Sequence, residues 1–280
     1  MARDATLAVL FPGQGSQTPD MRERVERNRP DLIALAREQV GADPFERADE
    51  GTRWAQPAIF CASLAGWTPL ADGTAPALMA GHSLGEIGAL VAAAALSEGD
   101  GLRVVTERGR LMQEAADVAG DGGMLAALGD DRETVDEVAR NLELTIANDN
   151  GPSQVVLSGP AAALDQAATE LTERGLRTRR LAVQGAFHSP AMEPVVEPFR
   201  QLLDDVEVRK PRVPVWSGVT AEPFDDVRQR LAQAIAYPVR WLDVMRAMAA
   251  RGVARFVEVG PGNVLTGLVR RTLEGVEVHA

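Results

Sequence analysis

Ser83 stands between Gly81 and Gly85 in "MAGHSLGEIGAL", residues 79–90, a G-x-S-x-G arrangement where an apolar run meets a helical pattern. The flanking glycines permit a tight strand-to-helix turn that exposes the serine oxygen, and a helix N-terminus favours negative charge developing there. That is the chemistry of a nucleophile. The same residues also make a good helix start, with Ser83 as N-cap and Glu86 completing a capping box, and the two readings are compatible. A serine nucleophile needs a base, and the chain has three histidines, His82, His188 and His279. His82 adjoins Ser83 on the turn and is expected to point away from it. His279 fits the Ser, acid, His order of the α/β-hydrolases, but it lies one residue from the end of the sequence, a poor place to fix a base. His188 lies in "QGAFHSP", where it is either a loop histidine packed under Phe187 or a general base.

Arg108 poses a second chemical question. It falls on the apolar stripe of a helix expected over about 99–116, in line with Gly101, Val104, Leu111 and Ala115 and beside Val105 and Met112. A guanidinium in that position needs an anion. An internal Asp or Glu, or snorkelling to water, would satisfy it. So would a substrate carboxylate gripped by a bidentate fork, for which Arg is better suited than Lys. Acyl chemistry at Ser83 would also need two backbone donors for an oxyanion. The Leu84 N–H and, from the loop "FPGQGSQ" after the first strand, Gln14 are the candidates.

The elements that must position these residues are legible in outline. A first strand over 6–11 ends in a Pro- and Gly-containing loop, and helical patterns follow near 30–40 and 56–67. "APALM" reads as a buried strand running into Ser83, with a helix from Leu84 to about Leu96. From 118 to 186 the order becomes βαββαβ, the split βαβ of ferredoxin-like domains. The α/β pattern then resumes with a helix over 190–205, a strand "VPVWSG", helices around 223–235 and 239–251, a strand "ARFVEVG" and a last helix opened by "PGNVLTGL".

Composition narrows the classes. The chain has 280 residues, is 45% hydrophobic and carries a net charge of −11, which fits a globular protein and argues against nucleic-acid binding. The densest basic cluster, Arg174, Arg177, Arg179 and Arg180, reads as a solvated strand edge that could also meet an acidic partner. A single cysteine, Cys61, rules out an internal disulfide and a multi-cysteine metal site. The N-terminal apolar run is too short for a signal or membrane span, so a cytoplasmic protein is expected.

Six stretches in order resemble the malonyl-CoA:acyl carrier protein transacylase family, the acyltransferases of fatty-acid and polyketide synthesis. They are "FPGQGSQ" (11–17), "GHSLGE" (81–86), "RGRLMQEA" (108–115), "IANDNGPSQVVLSG" (146–159), "GAFHSP" (185–190) and "VEVGPGNVLTGLVRR" (257–271). The resemblance implies an α/β fold, with an α/β-hydrolase-like large domain formed by 1–117 and 187–280 and an inserted ferredoxin-like subdomain over 118–186. It implies a malonyl-Ser83 intermediate, His188 as base, backbone amides of Gln14 and Leu84 as oxyanion hole, and Arg108 on the malonyl carboxylate. Phe187 would crowd a methyl branch, and Met112, Asn148 and Gln56 match pocket positions. Malonyl-CoA and acyl carrier protein are the implied substrates, with no cofactor or metal, and a monomer is expected.

Three positions depart from the family pattern. The carbonyl expected to orient His188 aligns with Ala234, beside Gln233, where many members have Gln or Asn. "TPDM" replaces a glycine-richer stretch, and Ala94 stands where glycine is usual. Two other functions use the same residues differently: an editing thioesterase or esterase built on Ser83, the latter with His279 as base, and a non-catalytic carrier-protein docking subunit.

Overall fold

Two sheets of different character organise the chain, whose computed structural model describes residues 6–280. Strand β1 (Thr6–Phe11) is followed by helices α1 (Met21–Asn28), α2 (Pro30–Val40) and α3 (Thr52–Ala71). Strand β2 (Leu78–Gly81) then runs into α4 (Gly85–Ala92) and α5 (Glu98–Ala119). Next come β3 (Gly122–Leu128), α6 (Arg132–Asn141), β4 (Thr145–Gly151), β5 (Gln154–Pro160), α7 (Ala161–Glu173) and β6 (Arg177–Arg180). The chain returns through α8 (Glu193–Asp204), β7 (Val215–Trp216), α9 (Val227–Gln233), α10 (Trp241–Ala250), β8 (Val253–Glu258), α11 (Val264–Thr272) and β9 (Glu277–His279).

The first sheet is parallel throughout, in the order β7-β2-β1-β8-β9. Its central strand, "TLAVLF", is buried on both faces from Leu7 onward, which accounts for a continuous apolar run where an alternating one would mark a half-exposed strand. The loops after β1, β2 and β8 meet at one end of this sheet, the end at which open α/β sheets place their sites. A Cβ at Gly13 would lie 2.5 Å from the His82 carbonyl oxygen, and one at Gly262 would lie 2.8 Å from that of Ser16.

The second sheet is antiparallel, in the order β4-β5-β3-β6, and has the expected βαββαβ connectivity. Alternation along β3 divides its two faces. Leu125 and Ala127 pack with Val138 of α6 and with Leu164 and Leu171 of α7. Met124 and Ala126 face the other way and join Phe187, Met112 and Phe199 in the core shared with the parallel sheet. One continuous apolar core therefore links both sheets and fixes where the chain leaving β6 must land. Arg177, Arg179 and Arg180 are exposed on β6, an edge strand, while Arg174 pairs with Glu137 and Arg180 with Asp165.

Several boundaries differ from expectation. Helix α1 and strand β9 lie outside the elements expected from the sequence pattern, and β7 has two residues where the pattern predicts a longer strand. Helix α4 stops at Ala92 because the chain reverses there. The Ala95 N–H donates to the Leu90 carbonyl at 2.8 Å, the Ala94 N–H to that of Val91 at 2.9 Å, and Ala94 sits at φ +59°. This is a left-handed helix end, which explains why glycine is usual at this position; nothing in the structure explains the alanine found there. Ala94→Gly should raise the free energy of unfolding by about 1 kcal/mol in chemical denaturation, since alanine pays a steric cost at positive φ that glycine does not.

Candidate active site

The turn at Ser83 depends on two close approaches. A Cβ at Gly81 would lie 1.9 Å from the Gly85 carbonyl carbon, and one at Gly85 would lie 2.1 Å from the Phe11 carbonyl oxygen. Only glycine at both positions lets α4 start directly against β1 and β2. Ser83 itself adopts φ +54°, a conformation costing about 1–2 kcal/mol for a non-glycine residue, and the turn is tied down by His82 N–H to Phe11 O at 3.0 Å and Gly85 N–H to His82 O at 3.0 Å. The capping box does not form. No side chain caps α4; Ser83 Oγ lies 2.8 Å from His188 Nε2, and Glu86 bonds elsewhere.

His188 comes from the chain returning after β6, in another positive-φ residue (φ +55°), and is 4% exposed. The turn carrying it is fixed by Ser189, whose hydroxyl donates to the Ala186 carbonyl at 2.6 Å and accepts from the Ala191 N–H at 3.3 Å. The His188 Nδ1 lies 3.2 Å from the Tyr237 carbonyl oxygen. A carbonyl only accepts, so Nδ1 carries the proton and Nε2 is left to accept from Ser83 Oγ–H. The orienting bond therefore goes to Tyr237, three residues beyond the expected Ala234, whose carbonyl makes a smaller contribution. The chain turns tightly after α9, with Tyr237 N–H on the Gln233 carbonyl at 3.0 Å, and this brings the later carbonyl to the ring. Burial, then the Arg108 charge and His82, push the His188 pKa down to about 3, against the pull of the two carbonyls. The ring is neutral at physiological pH, the form that can take a proton.

Arg108 is 3% exposed in mid-α5. Its Nη1 donates to Gln56 Oε1 at 2.9 Å and its Nη2 to Ser83 Oγ at 3.1 Å. No carboxylate among the described residues forms an ion pair with it. The acid that acts on it electrostatically, Glu86, is pushed up to about 8 by its own burial and is mostly neutral at pH 7. Burial lowers Arg108 to about 10, so it keeps its charge. A buried, charged guanidinium with donors to spare beside an unionised serine has the chemistry to receive an anionic group.

Gln56 and Met112 line this region, the Gln56 Nε2 lying 3.5 Å from Met112 Sδ. Phe187 is buried in the core shared by the sheets. The Leu84 and Gln14 amides have no backbone acceptor among the described residues, and the Gln14 side chain accepts from the Thr52 hydroxyl. Asn148 is buried at a bulge of β4 paired with Val239 and makes no hydrogen bond to Ser83, His188 or Arg108. His82 points away, its Nε2 2.8 Å from Asn150 Oδ1. His279 lies on edge strand β9, three strand spacings or about 14 Å from β2 across the sheet. Sequence reasoning missed Tyr237, because a backbone carbonyl leaves no residue signature. It also missed Asn150 and the contact of Glu86 with Gly218.

The acyl transferase domain family matches residues 39–280. The chain belongs to this family. Among curated relatives, this acyl transferase is 40% identical to the polyketide biosynthesis protein ThaF of Burkholderia thailandensis, over 95% of the chain but 24% of ThaF. It is 37% identical to the malonyl CoA-acyl carrier protein transacylase of Bacillus subtilis, over 95% of the chain and 90% of that protein. The chain thus spans about a quarter of the first relative and nearly all of the second. Among solved structures, the malonyl-CoA:acyl carrier protein transacylase of Xanthomonas oryzae pv. oryzae superposes with a TM-score of 0.91 at 37% identity, covering 98% of this chain and 94% of that one.

The low pKa of His188 makes a stability prediction. Folding lowers this pKa from an unfolded value of about 6.5 to about 3, so between those values the unfolded chain binds more protons and acid favours unfolding. The contribution is intact above pH ~6.5 and is lost as the pH falls toward 3. Thermal or denaturant unfolding of the acyl transferase should weaken faster below pH ~6.5 than that of His188→Gln, by up to about 1.4 kcal/mol per pH unit. Parallel curves would contradict a buried neutral ring.

Proposed function

We propose that the chain is a malonyl-CoA:acyl carrier protein transacylase that works through a malonyl-Ser83 intermediate. The observation that carries this reading is Arg108, buried without a carboxylate partner among the described residues and hydrogen-bonded to Ser83 Oγ. In a malonyl thioester one methylene separates the free carboxylate from the reacting carbonyl, so the cation that holds the carboxylate must adjoin the nucleophile.

In the first half-reaction Ser83 Oγ attacks the thioester carbonyl and His188 Nε2 takes its proton. The Gln14 and Leu84 amides hold the oxyanion, the C–S bond breaks, and the imidazolium protonates the departing CoA sulfur. In the second, His188 takes the proton of the carrier protein's phosphopantetheine thiol, whose sulfur attacks the malonyl ester; the bond from the acyl carbon to Ser83 Oγ breaks, and the imidazolium returns the proton to that oxygen. Arg108 holds the carboxylate through both steps. CoA thioester is a substrate and no cofactor or metal takes part. Gln56 and Met112 shape the pocket with Arg108, and Phe187 disfavours a methyl branch; Asn148 contributes from β4. The parallel sheet and its helices, 1–117 and 187–280, act as an α/β-hydrolase-like catalytic unit carrying 118–186 as an inserted subdomain, in a cytoplasmic monomer.

An editing hydrolase would gain nothing from a cation beside the nucleophile, and a docking subunit would need no Ser83–His188 pair. Incubation with malonyl-CoA followed by mass spectrometry should trap a malonyl group on Ser83, and His188→Ala should lose it; an unmodified serine in the wild type would overturn the reading. Arg108→Ala should lower kcat/KM for malonyl-CoA by about 10²–10³, the loss expected for one buried charge-assisted pair, while acetyl-CoA is affected less. Equal losses for both donors would remove Arg108 from the carboxylate.

A further inference from the structure

Glu86 follows the nucleophile by three positions, yet it neither caps α4 nor pairs with Arg108. It is 1% exposed, and its Oε1 accepts from the Gly218 N–H at 2.6 Å. The Gly218 carbonyl in turn accepts from the Arg240 N–H at 2.8 Å. The segment just before Arg240 is held from its other side by β4. The Val239 N–H donates to the Ala147 carbonyl at 2.8 Å, and the Val239 carbonyl accepts from the Asp149 N–H at 2.9 Å. Tyr237, whose carbonyl carries the His188 Nδ1–H, precedes Val239 by two residues with the rigid Pro238 between them. Ser83, Glu86, Gly218 and Tyr237–Val239 line one narrow crevice, too tight to hold a water.

We propose that Glu86 is a positioning residue: by holding Gly218, and through it the Tyr237–Arg240 segment, its carboxyl oxygen fixes the carbonyl that aims His188 at Ser83. The proposal rests on the Ser83–His188 reading given above. What the position requires is an acceptor oxygen and not a negative charge. Burial keeps the acid mostly neutral at pH 7, and an ionised carboxylate would compete with a substrate anion for Arg108. Glutamine retains the acceptor; methionine keeps the volume and loses it.

The test compares Glu86→Gln, Glu86→Met and Glu86→Ala in the full chain, each checked for a cooperative thermal transition. Two rates are measured: malonyl transfer from malonyl-CoA to Ser83, and inactivation of Ser83 by phenylmethylsulfonyl fluoride, a probe that needs the dyad but no carboxylate site. Glu86→Gln should stay within about threefold of wild type in both. The folded apolar variants should lose about 10- to 100-fold in the acylation rate constant and in sulfonylation alike, with KM for malonyl-CoA changed less than about threefold. A folded apolar variant sulfonylated at the wild-type rate overturns the proposal, as does a glutamine variant as impaired as the apolar ones. Failure of both apolar variants to fold assigns Glu86 to the scaffold and overturns it too. His188→Ala is the control: if it is sulfonylated at the wild-type rate, the dyad reading itself fails, whatever the Glu86 variants do.

Discussion

A charged guanidinium held against a serine hydroxyl, in the core and without an ionised acid to pair with it among the described residues, is the constraint on which the rest of the site depends. Desolvating such a charge costs several kcal/mol, and nature usually offsets this with a carboxylate. At Arg108 the offset is limited to the Gln56 amide oxygen, the Ser83 hydroxyl and a carboxyl that burial keeps largely protonated. The neighbourhood adjusts to it. The positive field of Arg108 contributes to keeping His188 unprotonated, so one buried cation bears both on the serine it touches and on the imidazole beside that serine.

Assembling this arrangement takes both sheets. Ser83 is delivered by the parallel sheet at the end of β2, and His188 by the chain returning from the antiparallel one, each in a left-handed backbone conformation that only its surroundings maintain. The shared apolar core, in which Met124 and Ala126 meet Met112 and Phe187, sets the distance between them. The pairing of Val239 with β4 ties the segment that orients the base to the same antiparallel sheet. Packing between the layers is thus translated directly into a hydrogen-bond length.

Much of this was legible in the residues, for identifiable reasons. The continuous apolar run of β1 and the βαββαβ alternation after 118 are long patterns whose periodicity survives local noise. Helix α1 was missed because only Met21 and Val25 of "MRERVERN" are buried, too few to show a stripe. Strand β9 is three residues at a sheet edge, and the end of α4 falls at an alanine where glycine is the usual signal. At the site, Ser83 and Arg108 announced themselves by local context, a glycine-flanked turn and a charge on an apolar stripe. Whether an acid met Arg108 was a long-range question that only the fold answers. Glu86 looked like half of a capping box because that motif shares its spacing with a residue bonding to Gly218, just after β7.

The base is steadied by an uncharged peptide oxygen and not by a carboxylate, and this bears on why such a centre should pass an acyl group onward without losing it to solvent. With no anion behind it to stabilise an imidazolium, the ring has a low appetite for protons. The Ser83 hydroxyl, itself a weak acid, is held on Nε2 at 2.8 Å, whereas an incoming group has no such standing contact; among incoming groups a thiol, with a pKa of about 8.5, asks far less of the ring than water at about 15.7. In the proposed reaction, a feeble base becomes a means of choosing sulfur over water.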